Sequence, residues 1–117
     1  MRILYCEDDL DTGEAFRIGF TQLGHHVDYA QTADQAIAMF DVSGAHPYDL
    51  LITDVEMSGH LGLVFAAHAR RNGYEGRIVV LTGHSKDTFA GSLQEVRGEY
   101  WQKTALGQNL REMVEGV

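Results

Sequence analysis

Four groups of residues in this chain are of types that could do chemistry together. Glu7-Asp8-Asp9 is an acidic run placed directly after the apolar Ile3-Leu4-Tyr5-Cys6. Asp54 directly follows Tyr48–Thr53, which reads YDLLIT. Thr82 closes Ile78-Val79-Val80-Leu81-Thr82, and Gly83 after it leaves space beside the hydroxyl. Lys103 follows Glu99–Gln102. Each group therefore sits at the carboxyl end of a strand-like segment. Carboxylates brought close together repel unless something offsets them. A divalent cation such as Mg2+, which prefers carboxylate oxygens and retained waters, is the simplest remedy. A hydroxyl donor and an ammonium beside that site suit a phosphoryl group, whose transfer depends on positioning and charge neutralisation. Each residue also has a plainer reading. Asp9 or Asp11 could cap a helix, a threonine can serve a turn, and a lysine is usually solvated. The acidic ends of two strands taken together carry the functional reading.

The elements that would deliver these residues follow from apolar periodicity. Tyr48–Thr53 and Ile78–Thr82 are continuous apolar runs, as expected of strands covered on both faces. Ile3–Cys6 and Val27–Ala30 read as further strands, and Glu99–Gln102 as a short last one. Helices are expected at about 12–23, with Phe16, Phe20 and Leu23 on one face and Gly24 as its stop. A second begins at the capping box Thr32-Ala-Asp-Gln35. A third spans about 62–71 and closes on Asn72-Gly73, a fourth follows Ser85, and a last amphipathic helix carries Leu106, Leu110, Met113 and Val114. Five βα units predict an α/β fold: a doubly wound five-stranded parallel sheet, order 2-1-3-4-5, of the flavodoxin-like (βα)5 kind. In that order, ligands bind beyond the carboxyl ends of strands 1 and 3, where the winding reverses. Those are the ends that bear Glu7-Asp8 and Asp54.

The chain has 117 residues, 44% hydrophobic and 22% charged, which predicts one globular domain over 1–117. Nine basic residues against seventeen acidic give a net charge of −8, which repels nucleic-acid phosphates and argues against direct DNA or RNA binding by this domain. No apolar run is long enough to span a bilayer, and Glu7, Asp8 and Asp9 interrupt the first one, so neither a membrane segment nor a secretory signal is expected. The single cysteine, Cys6, cannot form an internal disulfide. A cytoplasmic location is the default reading.

Taken in order, Glu7-Asp8, Asp54 with Met57 and Gly62 downstream, Thr82-Gly83, and Lys103 with Tyr100 three residues earlier resemble the receiver domain of two-component response regulators (the CheY-like superfamily). The resemblance runs from end to end. It implies that Asp54 accepts a phosphoryl group, with Thr82 and Lys103 contacting its oxygens and with Thr82 and Tyr100 acting as the switch. It also implies a Mg2+ site formed by Glu7, Asp8, Asp54 and the backbone carbonyl of Glu56. The expected donor is a histidine kinase or a histidine phosphotransfer protein. The expected output is a partner protein or output domain on the face of the fourth helix, fifth strand and fifth helix. Such a domain is not an enzyme beyond its own phosphorylation and dephosphorylation. Two residues depart from the family pattern: Ser58 and Thr104 stand where proline is usual. A cis peptide before a residue other than proline costs about 2.5–4 kcal/mol, so the Lys103–Thr104 bond is in question; Lys103 is still expected to reach the site.

Three alternatives belong to other classes. A pseudo-receiver would use the same fold as an interaction module without phosphorylation. A flavodoxin-like redox protein would need a phosphate-binding loop after strand 1, where Glu7 to Asp11 would repel phosphate instead. A phosphatase with a second acid two residues after its nucleophile matches Asp54-Val55-Glu56 in spacing only. The six histidines, His25, His26, His46, His60, His68 and His84, show no metal-ligand spacing and read as surface or loop residues. Trp101 should point away from Tyr100 into core. Ile18 falls off the apolar face of the first helix.

Overall fold

Ten elements alternate along the chain in a computed structural model that describes residues 1–44, 48–55, 61–83, 90–102 and 106–115. Strands β1 (Arg2–Cys6), β2 (His26–Ala30), β3 (Leu50–Asp54), β4 (Arg77–Thr82) and β5 (Glu99–Gln102) alternate with helices α1 (Leu10–Gln22), α2 (Ala33–Val42), α3 (Leu61–Arg71), α4 (Ala90–Val96) and α5 (Leu106–Glu115). The strands form one parallel sheet in the order β2-β1-β3-β4-β5, as the alternating pattern predicts. β3 starts at Leu50, two residues later than its apolar run suggests, and includes Asp54.

Strand alternation sorts the core into two layers. Leu4, Cys6, Leu51, Ile78 and Val80 face α2, α3 and α4, where Ala36, Phe40, Phe65, Ala69, Leu93 and Val96 meet them. Ile3, Tyr5, Leu50, Ile52, Val79 and Leu81 face α1 and α5, against Phe20, Met113 and Val114. Burying each large apolar side chain contributes about 1.5–3 kcal/mol, which explains why the central strands, covered on both faces, read as unbroken apolar runs. Tyr100 packs on the first layer and Trp101 on the second, as alternation requires.

The helix ends follow the sequence signals. Asp9 is the cap of α1, its carboxylate accepting from the Thr12 amide at 3.1 Å. The α1 stop at Gly24 (φ 95°) is a Schellman turn, with Gly24 N–H donating to Thr21 O and His25 N–H to Phe20 O. Thr32 caps α2 through the Gln35 amide at 3.0 Å, while the Gln35 side chain reaches back one residue further than a standard capping box, to the Gln31 amide. α3 closes at Gly73 (φ 90°), and Tyr74 N–H donates to Ala69 O.

Two histidines are more covered than exposed loop or surface residues usually are. His25 lies in the turn before β2 with its side chain only 10% exposed, and burial holds its ring below the usual histidine range. His68 lies on the inner flank of α3, paired with Asp41 of α2 at 2.8 Å and edge-on to Phe40. His25 is a loop residue as read, and only His68 departs from that reading, because what covers it is remote in sequence. His26 and Ile18 are exposed as expected. Glu56, Met57, Ser58, Lys103 and Thr104 lie outside the described residues, as do His46, His60 and His84.

Candidate functional site

The site forms where the winding of the sheet reverses. Cys6 of β1 pairs with Thr53 of β3, so the next residues along these parallel neighbours are Glu7 and Asp54. Glu7 extends the Ile3–Tyr5 row, and Asp54 extends the Leu50–Ile52 row. The strand ends thus deliver two acids to one side of the sheet edge. Asp8 completes the group: one carboxylate oxygen from each of Glu7, Asp8 and Asp54 lies within 4.8 Å of the others. Glu7 is fully buried, Asp54 is 1% exposed and Asp8 is open to solvent.

Two buried acids, with a third exposed one at this spacing, are costly together. Their all-oxygen donor set fits a hard divalent cation, with Asp8 on the open side leaving room for bound water. Glu7, Asp8 and Asp54 are the described residues that would hold it.

The supporting backbone is tied on every side. Glu7 N–H donates to Ala30 O at 3.0 Å, and Val55 N–H donates to Leu81 O at 3.0 Å, carrying strand pairing one residue beyond the acids. The Glu7 carboxylate accepts from the Asp9 amide at 3.1 Å. The Tyr29 hydroxyl of β2 donates to the Glu7 carbonyl at 2.8 Å. On the β3 side, the Thr53 hydroxyl donates to Gly62 O at 3.3 Å and binds the first turn of α3 to the strand.

Thr82 is fully buried at the end of β4. Leu81 pairs with Asp54 and Val80 with Tyr100, so Thr82 and Tyr100 share the face covered by α2, α3 and α4. The structure therefore brings Glu7, Asp8 and Asp54 together and aligns Thr82 and Tyr100 with one another on the face covered by α2, α3 and α4. Cys6, just beneath, is buried, and burial pushes its thiol up to about 12, while a bond to the Thr53 hydroxyl opposes this. It is too poor a thiolate to act as a nucleophile at neutral pH.

Sequence reasoning passed over Tyr29, Thr53 and Gly13. Gly13 left a readable trace: a glycine inside a helix costs about 1 kcal/mol relative to alanine and calls for a packing reason. Here a Cβ at Gly13 would lie 2.0 Å from the Tyr29 hydroxyl oxygen. Tyr29 left none, because aromatic residues are favoured in strands in any case.

A doubly wound parallel sheet that gathers three carboxylates at its reversal point, with a buried threonine at the next strand end, defines an α/β domain whose acidic site could hold a cation. The chain belongs to the response regulator receiver domain family, whose model matches residues 3–115. Receiver domains are signalling modules of two-component systems that bind Mg2+ at an acidic pocket. Among curated relatives, the transcriptional regulatory protein PmrA of Pectobacterium parmentieri is 31% identical over 86 residues, covering 74% of this chain. The match takes in only 37% of that relative's length. Among solved structures, response regulator protein TrrA of Thermotoga maritima, in complex with Mg2+ and BeF, is 27% identical with a TM-score of 0.79, covering 98% of this chain and 96% of that one. The Vibrio cholerae chemotaxis protein CheY4 shares the fold, with a TM-score of 0.87 at 18% identity over 99% of this chain and 97% of that one. No helix among the described residues is long and apolar enough to cross a membrane.

Proposed function

We propose that this chain is a Mg2+-dependent phosphoacceptor, taking a phosphoryl group on Asp54 from a histidine kinase or a histidine phosphotransfer protein. The observation that carries this reading is the convergence of Glu7, Asp8 and Asp54 within 4.8 Å at the reversal point of the sheet. An Asp54 carboxylate oxygen attacks phosphorus as the bond to the donor imidazole nitrogen breaks. The imidazole leaves with a proton, and Asp54 becomes an acyl phosphate. Asp8, Asp54 and the Glu56 carbonyl would hold the cation, with Glu7 acting mainly through water. Mg2+ supplies charge neutralisation for the transferred group and its oxygens. The Thr82 hydroxyl donates to the phosphoryl oxygens, and Lys103 pairs with them.

The acyl phosphate adds negative charge and acceptor oxygens beside Thr82. Thr82 turns toward them, and Tyr100, on the same face of the sheet, moves into the space released. That movement alters the surface of α4, β5 and α5 presented to an output domain or partner protein. A cytoplasmic location fits such a donor. The likeness to a transcriptional regulator supports a role for 1–117 as the receiver unit of a signalling protein.

Incubation with acetyl phosphate and Mg2+, followed by intact-mass measurement, tests this. A gain of one phosphoryl group that is lost in Asp54→Ala and suppressed by a chelator is the expected result. No gain in the wild type would favour the phosphorylation-independent interaction module.

A further inference from the structure

We infer that Tyr29 is a positioning residue for the cation site, acting through the backbone of Glu7; this rests on the reading of Glu7, Asp8 and Asp54 as a Mg2+ site. Tyr29 lies on β2, an edge strand, and contributes no ligand atom. Its hydroxyl donates to the Glu7 carbonyl at 2.8 Å, where β1 ends and the acidic turn begins. The strand register explains why it can. Tyr29 pairs with Tyr5 and Ala30 with Cys6, while Glu7 N–H donates to Ala30 O. Glu7 is thus held by β2 through both its backbone groups, the amide by the Ala30 carbonyl and the carbonyl by the Tyr29 hydroxyl.

The Tyr29 ring is itself fixed. It stacks on Tyr5 with centroids 5.6 Å apart and planes 28° apart, and Tyr5 meets Phe20 edge-on at 5.6 Å. On its other side lies Gly13 of α1. A Cβ there would fall 2.0 Å from the Tyr29 hydroxyl oxygen and 2.3 Å from Cζ, so α1 admits the phenol only because residue 13 lacks a side chain. The same first turn of α1 holds the far end of the acidic run: Gly13 N–H donates to Asp9 O, and the Asp9 carboxylate caps Thr12 N–H. Glu7 and Asp9 are therefore fastened on either side of Asp8, the exposed ligand. Pinning both flanks limits the conformations Asp8 must lose when a cation binds. Groups behind a metal's direct ligands commonly set its affinity in this way.

The test is an NMR titration with MgCl2 alone, following the backbone amides of residues 7–9, with urea unfolding in chelator run in parallel. Tyr29→Phe keeps the ring and removes the hydroxyl; the expected result is Mg2+ affinity weakened about three- to tenfold in the folded protein, as for loss of one such hydrogen bond. A purely structural role would lower the urea midpoint and leave the affinity within twofold of wild type, and that outcome overturns the inference. Gly13→Ala should weaken Mg2+ binding at least as much, by displacing the phenol. In a Tyr29→Ala background the same change should add less than twofold. Saturable shifts in the wild type that vanish in Asp8→Asn support the cation site itself. If the wild type shows no such shifts, the cation site and this inference both fall; if only Tyr29→Phe matches wild type, the inference alone falls.

Discussion

Replacing Gly62 by alanine should reverse the sign of an ordinary helix substitution. Glycine to alanine within a helix normally stabilises by up to about 1 kcal/mol. At residue 62 the new Cβ would sit 1.9 Å from the Asp54 carbonyl oxygen and 2.8 Å from the Thr53 hydroxyl oxygen. The first distance is about 1.5 Å short of the 3.4 Å at which ordinary contact begins. The obstructing atom belongs to the backbone of β3, which is paired on both sides and cannot retreat. The first turn of α3 must move instead, stretching the Thr53 bond to Gly62 O. Overpacking costs about 1–3 kcal/mol, and a clash this deep with backbone takes the upper part of that range, about 2–3 kcal/mol. Against the propensity gain, the expected net loss is about 1–2 kcal/mol, or about 4–8 °C in Tm for a domain of this size. Urea unfolding followed through Trp101, the single tryptophan, measures it. The same variant should also accept phosphate more slowly, because Asp54 carries the obstructing carbonyl. A Gly62→Ala protein as stable as wild type, or more so, refutes the close approach of α3 to the phosphoacceptor strand.

Other consequences concern the far end of the sheet. Arg70 donates to Val96 O, Tyr74 O, Gly76 O and Arg97 O, tying the ends of α3 and α4 to the start of β4. Arg70→Met should cost about 2–3 kcal/mol in urea unfolding, because four carbonyls, three of them in part-buried bonds, lose a charged donor; a loss under about 0.5 kcal/mol would contradict this. Arg97 holds φ 53° at the end of α4, so Arg97→Gly should raise stability by about 0.5–1 kcal/mol, and a loss would count against that geometry. Hydrogen bonds from the Arg77 guanidinium hold the Glu99 carboxyl below its usual range. The resulting stability is present above the unfolded carboxylate value near pH 4.3 and is lost as pH falls through the lower folded value. Both groups are partly exposed, so Arg77→Met should remove only about 0.5 kcal/mol of pH-dependent stability between about pH 5 and 3; an unchanged slope would contradict the pairing. Cys6, buried and with its thiol pushed up to about 12, should react with an alkylating reagent at pH 8 at least about a hundredfold more slowly in the folded protein than in urea.

The frame of this fold was legible because its signals are local. YDLLIT and IVVLT are unbroken apolar runs, and only a sheet covered on both faces buries both sides of such strands. Thr32 with Gln35, and Gly24 and Gly73, mark helix ends through contacts within six residues. The acidic strand ends could be read because the order 2-1-3-4-5 fixes which strands are neighbours; the register that pairs Cys6 with Thr53 came only with the structure. What stayed hidden depends on partners remote in sequence. His68 reads as a helix-surface residue until Asp41 and Phe40 of α2 are placed beside it. Arg70 and Arg77 carry no signal in the sequence, yet each caps carbonyls more than twenty residues away. Backbone carbonyls carry no sequence identity, so no motif could announce them. Gly13 and Gly62 are the intermediate case. Their lack of a side chain is visible in the sequence, but the groups they make room for, Tyr29 and Asp54, are visible only once the sheet is assembled.

The most direct measurement is the position of the acyl phosphate itself. After treatment with acetyl phosphate and Mg2+, borohydride reduction converts a phosphorylated aspartate to homoserine, and fragmentation of the tryptic peptide covering 18–70 assigns the residue. That peptide also holds Asp28, Asp34, Asp41 and Asp49, which serve as internal controls. Conversion at Asp54 alone, absent without Mg2+, is the expected result. Conversion at another aspartate, or none at Asp54 under conditions where the protein is folded, would contradict the assignment of Asp54 as the phosphoacceptor.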